Sequence, residues 1–120
     1  MDILLMKLTV SKKEEIDKGE NKLIKILIPG EVIEHLYSDK GNSIWFTNKR
    51  IIILENGGFV DKRNEYRTIP YGKICSFIVD TINIRGLRIW IVGGIGEIIL
   101  EFKNPLDIEE IGRYLGIKTL

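Results

Sequence analysis

His35 and Cys75 are the side chains of this chain best suited by type to act as a catalytic base and a nucleophile, and each stands alone. General acid–base and nucleophilic catalysis need a positioned pair or triad, most often one that includes a histidine. The 120 residues contain one histidine and one cysteine. His35 alternates with Ile33 and Tyr37 in an extended run, where a histidine at a sheet or subunit contact accounts for it. Cys75 lies in an apolar run between Ile74 and Ser76, where a cysteine behaves as a small hydrophobe rather than a thiolate nucleophile. No residue is therefore assigned a catalytic role, and no enzyme is expected.

Other site chemistries fare similarly. A single cysteine excludes a multi-cysteine zinc site, and the acidic residues are dispersed without a Ca²⁺-loop pattern. No metal or cofactor is expected. Gly93-Gly94-Ile95-Gly96 looks like a phosphate cradle, but a cradle needs a helix to follow, and here a strand-like run follows. A tight hairpin explains the glycines. Lys62 and Arg63 sit beside Asp61 and Glu65, as in a solvated, mutually screened loop. Trp45 and Trp90 could stack bases, but 18 Lys and Arg against 17 Asp and Glu leave a net charge of +1, with no field to draw in nucleic acid. The candidate anion contacts that remain are Lys40, Lys49 and Arg50.

The elements that must position these residues are short. From Glu31 onward, strand-like runs recur at intervals of about ten, the spacing of an all-β sandwich or barrel. Seven are expected, at 31–38, 43–47, 50–55, 64–69, 73–82, 87–93 and 97–103. In IWFTNKRIIIL, the polar block Thr47-Asn48-Lys49-Arg50 makes the turn between the second and third runs. Pro70-Tyr71-Gly72 makes a corner. After Asn104, Pro105 suits a first helical turn, Asp107, Glu109 and Glu110 suit the helix dipole, and Ile108, Ile111 and Leu115 share one face. That helix should end near Gly116 and cover the open end of a strongly bent sheet. Ahead of the strands, Ser11 with Glu14 has capping-box spacing and Asn21 can cap a second turn. A short N-terminal helical extension is expected over 1–28, with the domain itself over 29–120.

An apolar content of 44 % and a charged content of 29 % fit one globular domain with its own core. The apolar patch in MDILLMKL lacks the basic flank and length of a signal peptide. With that and the cysteine usage, a cytoplasmic location is the default expectation.

The runs IPGEVIEHLYS, IWFTNKRIIIL, EYRTIPYGKICSFIVDT, LRIWIVG and EIILEF, with the terminal DIEEIGRYL, resemble the bacterial pleckstrin-homology-like family. FTNKRIII is also similar to GRAM-type domains. The resemblance implies a mainly β, PH-like fold: a seven-stranded antiparallel barrel or sandwich capped by the C-terminal helix. It also implies a non-catalytic recognition or assembly module, with members that tend to form homo-oligomers, often rings. Eukaryotic PH domains hold phosphoinositides through a basic cluster in the loop joining the first two strands. Here that loop is Ser38-Asp39-Lys40-Gly41-Asn42, with one cation beside one anion, and the cluster is absent.

Finally, the sequence holds more apolar residues than one core can use. In LRIWIV, one face carries Leu87, Ile89 and Ile91, yet Trp90 and Val92 join Arg88 on the other, and Ile51 to Leu54 is apolar on both faces. A half-exposed strand would alternate. The second face needs a neighbour: either the N-terminal segment or another subunit. A homo-oligomer interface is the favoured expectation, one that includes Arg88, Trp90 and Val92, with His35 and Tyr37 on the first strand. The expected function is a self-associating scaffold for protein partners. The alternative is a peripheral binder of anionic head groups or phosphorylated ligands.

Overall fold

The computed structural model describes residues 4–9, 12–13, 23, 25–39, 42–54, 66–80, 87–91, 96–102 and 104–120. Among these, strands β1 (Leu4–Thr9), β2 (Lys12–Lys13), β3 (Ile33–Asp39), β4 (Asn42–Thr47), β5 (Arg50–Leu54), β6 (Tyr66–Pro70), β7 (Ile74–Val79), β8 (Leu87–Ile91) and β9 (Gly96–Glu101) precede one long helix, α1 (Pro105–Thr119). The strands form two sheets, ordered β1-β9-β8-β7 and β2-β3-β4-β5-β6. The seven expected runs appear as β3 to β9, and the C-terminal helix is present.

Three expectations are corrected. Among the described residues, the strands form two separate sheets that do not close into a barrel. Pro70 ends β6 and a 3₁₀ turn at Tyr71–Lys73 carries the chain into the other sheet, so β6 and β7 are consecutive but lie at separate edges. Proline has no N–H to extend a ladder, which makes it a natural corner. Second, the N-terminal helical extension is not borne out by the described residues. Lys12 and Lys13 pair with Ser38 and Tyr37 of β3 as a short strand. Among the described residues of that region, the N–H groups of Ile26 and Leu27 reach the Leu23 carbonyl at 2.8 and 3.0 Å, as in a helical turn. Pro29 and Gly30 (φ +81°) end it two residues later. Ser11, Glu14 and Asn21 lie outside the described residues. Third, Leu4–Thr9 is a strand. It lies parallel to β9, from Leu4 opposite Gly96 to Thr9 opposite Glu101. Parallel pairing between the two ends of the chain carries no hairpin turn to advertise it.

The main core lies between the sheets and under α1. Tyr37, Phe46 and Ile53 enter it from one sheet, Ile89 and Leu100 from the other. Ile108, Ile111 and Leu115 of α1 close it, as their spacing predicts. The helix starts where Asn104 Oδ1 accepts from Leu106 N at 3.0 Å, with Asp107 in the first turn. It passes Gly116 and stops at Thr119, because a helical glycine costs only about 1 kcal/mol.

A second, smaller core lies on the opposite face of the five-stranded sheet. Leu23, Ile33, Leu36, Trp45 and Ile52 pack there, with Ile26 and Leu27 against them. This resolves the two-faced run at 51–54: Ile51 and Ile53 serve the main core and Ile52 the second. The cover on that face is the chain's own segment around Leu23.

Candidate functional site

Two polar constellations meet at Thr47, whose side chain is fully buried at the β4–β5 turn. The first is built on the turn Ile28-Pro29-Gly30-Glu31. Glu31 N donates to Ile28 O at 3.0 Å, and Gly30 takes the positive φ that a type II turn demands at that position. The turn delivers Glu31 into the protein, where its side chain has no exposed area. Arg50 meets it in bidentate fashion, Nε to Oε2 at 2.8 Å and an Nη to Oε1 at 2.9 Å. Two more bonds hold the guanidinium, to Ile26 O at 2.7 Å and Thr68 Oγ1 at 3.2 Å. The Thr47 hydroxyl donates to Glu31 Oε2 at 2.7 Å and accepts the backbone N–H groups of Lys49 and Arg50 at 3.1 and 3.0 Å.

Asn48 completes this clamp. Its Oδ1 accepts from Val32 N at 2.8 Å, and its Nδ2 donates to Gly30 O at 3.0 Å. Burial alone would raise the Glu31 pKa. Hydrogen bonds from Arg50, Thr47 and Ile28 outweigh that and hold the carboxyl below the usual carboxylate range. The Arg50 pKa is raised in turn, chiefly by its bond to Glu31.

The second constellation lies on the other side of Thr47. Its carbonyl accepts from Tyr71 OH at 2.5 Å. Tyr114 OH of α1 lies 2.8 Å from the same carbonyl, 3.1 Å from Tyr71 OH and 2.7 Å from Glu34 Oε1. One hydroxyl proton serves these acceptors. Burial, then the neighbouring Tyr71 and Glu34, push the Tyr114 phenol far above the ordinary tyrosine range. The hydrogen bond from Tyr114 is the main influence lowering the Glu34 carboxyl, with Lys118 and His35 adding to it.

Glu34 and His35 both reach α1 because β3 carries a bulge between Ile33 and His35. His35 Nδ1 lies 3.2 Å from Glu110 Oε1, and its ring meets Tyr114 edge-on at 4.7 Å. Lys118 Nζ lies 3.2 Å from Glu34 Oε1.

Residues 3–118 match the bacterial PH domain family. The chain belongs to that family. It is similar to two uncharacterized proteins of Bacillus subtilis: YjqA, 32 % identical over 102 residues, covering 81 % of this chain and 82 % of that protein, and YozO, 34 % identical over 94 residues, covering 75 % and 80 %. Among solved structures, a protein with a pleckstrin-homology domain from Shewanella loihica superposes with a TM-score of 0.81 at 25 % identity, covering 94 % of this chain and all of the other. A pleckstrin homology domain from Shewanella amazonensis gives 0.70 at 25 %, covering 92 % and 91 %.

Within this PH fold the residues singled out from sequence are scattered. Lys49 is exposed in the β4–β5 turn, while the neighbouring Arg50 points back to Glu31. Lys40 and Val92 lie outside the described residues. Tyr37 is fully buried, edge-on to Phe102 at 5.1 Å. His35 lies against α1, whereas Arg88 and Trp90 belong to β8 in the other sheet, opposite Ile78 and Ser76 of β7. Cys75 is exposed at a bulge of β7. Among the described residues, no three His, Cys, Asp or Glu side chains are grouped to hold a metal, and no helix is long and apolar enough to cross a membrane.

Glu31 and Tyr114 were not singled out from sequence, and Thr47 and Tyr71 were read only as parts of a turn and a corner. Glu31 left a signal: a carboxylate directly after Pro-Gly and beside Val32, at the mouth of an apolar run, needs a cation.

Proposed function

We propose that this chain is a non-enzymatic PH-like module that self-associates into a homo-oligomer and acts as a scaffold for protein partners. The observation that supports it most is β7. This strand is an outer member of its sheet, and its sequence ICSFIV carries neither a charge nor a proline. Ile78 is 44 % exposed and Val79 36 %. An apolar edge without lysine or proline is a template for another strand, and proteins that stay monomeric usually guard such edges. The bulge at Cys75 blunts the start of the strand, but Ser76 to Val79 continues in regular register with β8. Two copies of a neutral strand meet without like-charge repulsion.

The polar network supports the non-enzymatic part of the reading. Glu31 and Arg50 are committed to each other, and Tyr114 is held protonated between internal acceptors. Such groups fasten elements rather than exchange protons with a substrate. The commitment of Arg50 also leaves the anionic head-group reading with Lys49 alone at this turn.

Light scattering on the purified chain at micromolar concentration tests the proposal. A defined oligomer is expected, and I78K should shift it toward monomer by roughly tenfold or more in dissociation constant. A monomeric wild-type chain overturns the assembly reading.

A further inference from the structure

The helix α1 is apolar on its outer side as well as its inner one. Ile108, Ile111 and Leu115 face the main core, and the solvent side of such a helix is ordinarily polar. Yet Leu106 and Ile117, about three helical turns apart and so on one line along the outer side, are 68 % and 79 % exposed. Glu109 and Arg113, both exposed, lie on that line between them. A Cβ built on Gly116 would meet nothing within 4 Å, so the surface beside Ile117 is open.

We propose that this outer face of α1 pairs with the same face of a second copy, the two helices running antiparallel about a two-fold axis. An axis passing near Ile111 exchanges the two ends of the face. Leu106 then seats beside Arg113, Gly116 and Ile117 of the second copy, residues spaced as the hole that receives a knob on a facing helix. The same operation sets Glu109 against Arg113 of the second copy, and Arg113 against its Glu109. The charges identify the occupant. One carboxylate and one guanidinium stand on either side of the axis, so a copy of the face presents the opposite charge at both points. An anionic membrane would instead meet Glu109 with repulsion.

This pairing deepens the self-association reading but uses a different surface. β7 touches the helix through Val79, which lies under Gly112 on the flank of α1 rather than on its outer face. Ile78, next along the strand, points the other way. A single helix pair is smaller than a standard interface and weak alone, and it gains strength when a second contact joins the same chains. With β7 and α1 each meeting its own counterpart, the two contacts alternate, and a closed assembly contains an even number of subunits.

Sedimentation equilibrium across roughly 5 to 300 μM chain tests it in the I78K background, where pairing through β7 is removed. I78K should be a dimer at the top of that range. Adding R113E sets two carboxylates together at each point and should raise the dissociation constant about tenfold or more. Adding E109R as well restores opposite charges and should return the constant to within about threefold of I78K. Because association is read rather than the unfolding midpoint, a contact within one helix does not mimic that recovery. I117K, at an exposed position of the last turn, is the second disrupting variant should R113E not fold. An I78K chain that stays monomeric throughout overturns the helix pairing and gives the face to another partner or to solvent, while a larger wild-type mass still supports β7. A loss in R113E that E109R does not reverse overturns it too. A wild-type mass equal to the I78K dimer leaves the helix pairing standing and removes the β7 reading.

Discussion

Glu31 shows how one carboxylate can organise a turn, a hairpin and a covering segment together. It is removed from water, which carries a large cost unless charge and hydrogen bonds are both satisfied. Here they are, by Arg50, Thr47 and the Ile28 amide. Arg50→Ala would leave the buried carboxylate uncompensated and should destabilise the fold by about 3 kcal/mol, read as a lower urea midpoint at unchanged slope. The pH dependence is equally specific. Because the folded pKa of Glu31 lies below its ordinary value of 4.5, its stabilisation is present above that value and lost as pH falls through the folded one. Wild-type protein should therefore lose urea resistance below about pH 4.5, whereas a double variant, Glu31→Leu with Arg50→Met, should show a shallower loss. Identical acid profiles would show that this pair does not drive the effect. The polar block Thr47-Asn48-Lys49-Arg50 was legible as a hairpin, because turn chemistry is local. Its role as a clamp was not, since its partners lie 16 to 24 residues away in sequence.

At the scale of elements, the strands β3 to β9 and helix α1 could be read from the sequence because periodicity and turn residues are properties of neighbours in the chain. The strand β1 and the edge between β6 and β7 could not, since both depend on which distant backbone offers hydrogen bonds. The packing of α1 on β7 is a further non-local fact. A Cβ on Gly112 would lie 2.9 Å from Val79 Cγ2 and 3.2 Å from its Cγ1. Valine is stiff about χ1 and cannot swing both methyls away. Gly112→Ala should consequently destabilise the protein by about 1 to 3 kcal/mol, although alanine is the better helix former. Adding Val79→Ala should recover much of that loss. A Gly112→Ala chain as stable as wild type in denaturant would mean that the helix can ride away from β7 without penalty.

For the molecule as a whole, the excess of apolar residues has two separate destinations, and mutations should separate them. On the five-stranded sheet, Trp45 and Ile52 are covered from within by Leu23, Ile26 and Leu27. Leu23 has no exposed area, so Leu23→Ala should cost about 2 to 5 kcal/mol of folding stability. It should leave the mass in solution unchanged wherever the protein is still folded. On the four-stranded sheet, Ile78 is half exposed at the outer strand β7. A lysine there removes little buried area and should alter folding by no more than about 0.5 kcal/mol, yet it places a charge on the edge where a second copy would pair. The expected pattern is a crossed one: Leu23→Ala lowers the unfolding midpoint at constant mass, and Ile78→Lys lowers the mass at a nearly constant midpoint, once protein concentration is held fixed. If Ile78→Lys instead lowers stability as much as Leu23→Ala while the mass stays put, β7 is part of the fold's own core and offers no edge to a second copy.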